Sequence, residues 1–140
     1  MRKIAVFIIV LVISTVSHAR DHVGDYQIAG ALQEAVLGDD ISFYFGGQKH
    51  PKIIKGHGAF PTNKKTNAFN KSDLQACNWV FSSAMKSLRD RARREGGNAV
   101  VNIRSNYKSN TTSSEVSFKC GAGKFVAGVA LIGTVVTVKK

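Results

Sequence analysis

Between Asp73 and Glu95, the apolar residues Leu74, Cys77, Phe81, Ala84, Met85, Leu88 and Ala92 recur at spacings of three and four. That period is the mark of an amphipathic helix, which must bury one stripe against another layer of structure. Ser72 stands at the N-cap with Gln75 three residues on, a capping-box spacing that satisfies free amides of the first turn, and Asp73 lies at the positive end of the helix dipole. Arg89, Arg91, Arg93 and Arg94 fall in the last turns, and Gly96-Gly97 supplies a left-handed stop. At about 1.5 Å per residue such a helix is roughly 34 Å long, enough to cross a small sheet. Cys77 falls on its buried stripe.

The segments after the glycines read as strands. Ala99 to Ile103 is rich in β-branched residues, and Glu115 to Cys120 alternates Val116, Phe118 and Cys120 toward one face, with Ser105 to Ser114 between them as a polar loop. Phe125 to Ile132 and Thr134 to Val138 read as one bulged strand or two short ones, with Gly133 as the irregularity. Upstream, Ile41 to Phe45 is expected as a strand and Gln27 to Leu37 as a short helix; Gly46 to Lys71 is expected mostly as loop, with a strand near Ile53. The expected class is α+β: one long amphipathic helix packed on a small, largely antiparallel sheet.

Residues 1–19 read as a secretory signal peptide. Arg2-Lys3 is the positive region, Ile4 to Ile13 the apolar region, and Ser17-His18-Ala19 a small-residue cleavage site. The apolar run is about half the roughly twenty residues that a membrane span needs. Residues 20–140 are then expected as a single domain, periplasmic or secreted, with no transmembrane span after cleavage. Export bears on Cys77 and Cys120, the only two cysteines. An oxidising compartment favours their pairing, and neither belongs to a C-x-x-C motif. The expected helix-to-strand disulfide closes a loop of 43 positions, worth roughly 4 kcal/mol on the chain-entropy model.

Charge is the strongest bias in composition. The chain carries 20 Lys and Arg against 9 Asp and Glu, and because the leader holds Arg2 and Lys3 but no acid, the remainder keeps a net +9. Between Ile41 and Ser72 there are six lysines and no acid. Lys49, Lys52, Lys55, Lys64, Lys65 and Lys71, with Arg89, Arg93 and Arg94 on the helix, form a candidate surface for an envelope protein or polyanion. Cations at a helix C-terminus also have a purely structural use. Cys120-Gly-Ala-Gly-Lys124 lacks the spacing of a phosphate-binding loop, so no ATP is expected. No serine lies in a G-x-S-x-G elbow, and Asp39-Asp40 are loop neighbours that would point apart, so no catalytic constellation converges. His50 and His57 have no nearby Cys or carboxylate to complete a metal site. His22 differs: a mature chain beginning Arg20-Asp21-His22 offers an amine, two backbone amides and an imidazole for square-planar Cu(II) or Ni(II).

The stretches Phe43-Tyr-Phe-Gly46, Gln48-Lys-His-Pro51, Thr62-Asn-Lys-Lys-Thr-Asn-Ala-Phe-Asn-Lys-Ser72, Gly96-Gly-Asn-Ala-Val-Val-Asn-Ile103 and Cys120-Gly-Ala-Gly123 resemble a group of small exported proteobacterial proteins often labelled excinuclease ATPase subunit. The resemblance spans nearly all of residues 20–140 and brings no established activity. More remotely, the helix followed by Gly-Asn-Ala-Val-Val and a cysteine-bearing strand is similar to YbjQ-type heavy-metal-binding proteins and to the Rcs envelope-sensor lipoprotein. This similarity covers residues 72–138 and implies a small α+β domain with a helix-to-strand disulfide. The chain lacks the lipoprotein cysteine of that sensor and has fewer cysteines. The expected function is an exported, non-catalytic binding domain with a basic surface for an anionic or protein partner. The alternative is a metal-binding protein that uses Arg20-Asp21-His22.

Overall fold

The computed structural model describes residues 22–140; the expected signal peptide, residues 1–19, and Arg20 and Asp21 lie outside the described residues. The elements in chain order are β1 (His22–Gln27), α1 (Ile28–Glu34), β2 (Ser42–Phe45), β3 (Ile53–Asn67), α2 (Asp73–Glu95), β4 (Ala99–Tyr107), β5 (Asn110–Thr112), β6 (Ser117–Ala122) and β7 (Val126–Val138). They form an α+β fold, with two helices and one seven-stranded sheet that is antiparallel except where β2 runs parallel to β4. The short helix expected from Gln27 to Leu37 is α1, which ends at Glu34 and packs Ile28 and Ala31 into the same core as the long helix α2. Among the described residues no helix is long and apolar enough to cross a membrane.

Helix α2 starts and stops where its caps dictate. The Ser72 side chain accepts from the Gln75 amide at 3.1 Å, and Gly96, at φ 78°, ends the helix in the left-handed region that only glycine enters without strain. Its stripe, from Cys77 through Phe81, Met85 and Leu88 to Ala92, is buried against Val100, Ile103, Phe118, Val129, Leu131 and Val135 of the sheet. Leu74, expected on that stripe, is exposed instead, and the buried stripe begins at Ala76 and Cys77. Phe81 and Phe118 stack at 4.2 Å; burying a side chain of this size contributes roughly 1.5–3 kcal/mol. Cys77 and Cys120 are disulfide-bonded with Cα atoms 6.0 Å apart, tying α2 to β6.

Strand β7 is the axis of the sheet. One side pairs along its whole length with β3, and the other pairs with β4 and then β6. Gly133 lies in regular register opposite Phe60 of β3, but on its other side the pairing with β4 shifts register between Thr134 and Ile132, so the expected irregularity is present, with Asn102 and Ile103 of β4 set against Gly133. A Cβ there would sit 2.5 Å from Val100 Cγ1 of β4 and 3.3 Å from Leu88 Cδ1 of α2, so the glycine makes room first for the Val100 side chain and then for the helix above it. The expected loop Ser105–Ser114 is instead the end of β4, a turn and the short strand β5. The turn uses Lys108 and Ser109 at positive φ where glycine is the usual signal.

The largest departure is β3, expected mostly as loop and found as a 15-residue strand. Gly56, Gly58 and Pro61 read as strand breakers, yet each is accommodated. Gly58 adopts φ 110° beside a register shift, and Pro61 sits on a strand paired only with β7, so its missing N–H can face away from the ladder. Lysines along such an edge also discourage pairing with another chain.

Candidate functional site

The turn at residues 68–72 sends α2 back along β3. The two elements enclose an open groove of about 460 Å³ lined by Lys64 and Lys65 from β3, and by Ser83, Lys86, Ser87, Asp90 and Arg94 from α2. Lys64, Lys65, Lys86 and Arg94 are exposed, and among the described residues none of them has an acidic partner. Asp90, the one acid of the lining, is engaged by Arg89 Nε at 3.0 Å and Arg93 Nη1 at 3.7 Å. Its charge is therefore offset within the fold, and the groove keeps a strongly positive field. The Ser87 hydroxyl adds hydrogen-bonding capacity on the helix wall, while the Ser83 hydroxyl donates to the Trp79 carbonyl at 3.4 Å.

The basic residues singled out from the sequence separate into distinct duties. Lys64, Lys65 and Arg94 meet in the groove. Arg89 donates to the Val36 carbonyl at 3.2 Å, and Arg93 holds Asp40 through two hydrogen bonds of 2.7 and 2.8 Å. Both arginines thereby clamp the segment after α1 onto α2, away from the groove. The Arg93 guanidinium, first through its hydrogen bond, holds the Asp40 carboxyl below the usual carboxylate range. Lys49 and Lys52 lie in the connection between β2 and β3, and Lys55 lies at the far end of β3. Lys71 donates to the Asn67 carbonyl at 3.0 Å beneath Trp79. Arg91 is placed 3.9 Å over the Phe60 ring and pairs with Glu95.

Sequence reasoning missed Lys86, Ser83, Ser87 and Asp90. Their signal was present: they follow the same helical period as the buried stripe, displaced to the opposite face. The facing lysines could not be aligned with them while β3 was read as loop.

The histidines take separate places. His57 Nε2 is 2.8 Å from Thr137 Oγ1, and His50 Nδ1 is 2.8 Å from the Pro51 carbonyl with its ring edge-on to Tyr44. His22 opens β1 opposite Ala122 and is exposed; the rest of the candidate Arg20-Asp21-His22 site lies outside the described residues. Among the described residues no group of three or more His, Cys, Asp or Glu side chains is placed to hold a metal ion. Burial, and then the Asp73 carboxylate, push the Tyr26 phenol above its ordinary value.

The fold and groove define a small, disulfide-linked α+β domain with a basic cleft between its long helix and an edge strand. No family model matches the chain, and no curated protein is significantly similar to it.

Proposed function

We propose that the chain is an exported, non-catalytic binding domain, periplasmic or secreted, that receives an anionic partner in the groove between α2 and β3. The observation that supports this most is the set of four exposed cations, Lys64, Lys65, Lys86 and Arg94, without acidic partners, beside an Asp90 whose charge is met by Arg89 and Arg93. Maintaining like charges side by side opposes folding slightly, and an anion placed among them relieves that repulsion. The open, polar lining suits an extended charged chain better than a small apolar ligand. The Cys77–Cys120 bond accords with an oxidising compartment. Membership of the small exported proteobacterial group resembled by the sequence is part of the same proposal.

Heparin, as a soluble polyanion, tests the groove. Affinity should fall steeply with added salt, and the double substitution Lys64→Glu with Lys65→Glu should weaken binding about ten-fold or more at low salt. Lys49→Glu with Lys52→Glu changes net charge equally but lies outside the groove, and should cost about two-fold at most. Equal losses from the two pairs would reduce the effect to net charge and overturn the assignment to the groove.

A further inference from the structure

One end of the sheet, where β3 finishes, β7 begins and α2 starts, gathers large apolar side chains that the fold leaves in solvent. Phe69 and Phe125 are 53% and 58% exposed, Val126 51% and Trp79 64%. Phe69, Phe125 and Val126 are neighbours, and Lys71 reaches from them to Trp79. The Phe69 and Phe125 rings stack at 5.9 Å, the Ala68 amide donates to the Phe125 carbonyl, and Val126 lies opposite Asn67 in the ladder. Lys71 bridges to the helix, with Nζ bonded to the Asn67 carbonyl and 5.9 Å from the Trp79 ring, while Lys124 Nζ is 5.4 Å from the Phe125 ring. Asp73, the nearest acid along the chain, acts on Tyr26.

We propose that this tip docks on the surface of an anionic lipid bilayer, with Phe69, Phe125, Val126 and Trp79 entering the headgroup boundary and Lys71 and Lys124 meeting lipid phosphates. Aromatic rings with ammonium groups at their margins match the two chemistries of that boundary, one apolar and one negatively charged. The exposed rings line no part of the groove, so a partner meets them on an open surface, where the lipid headgroup boundary supplies both an apolar medium and anionic phosphates. Stacking of nucleobases fits less well: Phe69 and Phe125 already cover one another, and lysines lie over Trp79 and Phe125. The face of α2 that carries Trp79 continues, one and two turns on, to Ser83 and Lys86, so the cations of the groove flank the tip.

Trp79 is the only tryptophan of the chain, and its emission reports the proposed contact directly. With vesicles of phosphatidylcholine containing phosphatidylglycerol, emission should shift to the blue and be quenched by bromine-labelled acyl chains; pure phosphatidylcholine vesicles and heparin should leave it in place. The double variant Phe69→Ser with Phe125→Ser should lose about ten-fold or more in vesicle co-sedimentation while keeping its circular dichroism and heparin affinity. Lys64→Glu with Lys65→Glu should show the converse, a loss of heparin binding with quenching by brominated lipid retained, so the tip and groove can fail separately. Unchanged Trp79 emission with anionic vesicles overturns the proposal in the native chain, whatever the variants do. An equal shift with pure phosphatidylcholine, heparin or a single-stranded oligonucleotide also overturns it.

Discussion

Helix α2 and strand β3 are consecutive, comparably long and packed side by side, yet they are held in opposite ways. Nine of the 23 residues of α2 are buried, and a disulfide and caps at both ends add to its hold. Of the 15 residues in β3 only Thr62 is buried, and its order comes from backbone pairing with β7. An element fixed by its own side chains spends them on the core, whereas one fixed by a neighbour's backbone leaves them free. Lys64 and Lys65 are free in this sense, and the basic groove forms where they face the solvent side of α2.

The contrast is most severely tested at the disulfide. Cys77→Ala with Cys120→Ala should cost roughly 4 kcal/mol, read as a lower urea midpoint, and native-state hydrogen exchange should rise in α2 and β6 before β3. A uniform rise across all three would show that the two long elements do not differ in their hold. Gly133→Ala comes next. Its Cβ would overlap Val100 of β4 and press on Leu88 of α2, so the packing between sheet and helix must shift, at a cost of about 1–3 kcal/mol by chemical denaturation. Wild-type stability in this variant would mean that the approach of α2 at Gly133 is slack.

The smallest effect concerns pH. The Asp40 carboxyl titrates below its ordinary range because Arg93 binds its charged form, so the pair contributes stability above the unfolded-state pKa of that carboxyl and loses it as pH falls through the folded-state value. Asp40→Asn should therefore be slightly less stable than wild type at neutral pH, with the difference disappearing in acid below the usual carboxylate range. Since both side chains are exposed, solvent screening keeps the effect small. Thermal melts of the two proteins across this pH interval provide the measurement; a gap that widens toward acid would contradict the assigned direction.

Local periodicity was enough to place α2, since its apolar spacing, the Ser72 cap and the Gly96 stop each act on residues only a few positions away along the chain. The same locality explains what was missed. Nothing between Lys52 and Lys71 alternates strongly, and Gly56, Gly58 and Pro61 argued for loop; only the β-branched ladder of β7, some seventy residues away in the chain, makes that stretch a strand. Gly133 marks the strand irregularity that its place in a β-branched run suggests, but its close approach to Val100 and Leu88 involves other elements and is not written in that run.

The basic residues divide along the same line. Their number, their crowding before α2 and the pairing of the two cysteines followed from residue types and spacing, which sequence records completely. Which cations are consumed was decided by tertiary structure: Arg93 meets Asp40 across 53 positions, whereas Lys64, Lys65, Lys86 and Arg94 converge with no such partner. A charge's field depends on distance to every other charge, and those distances exist only once β3 and α2 have folded back on each other.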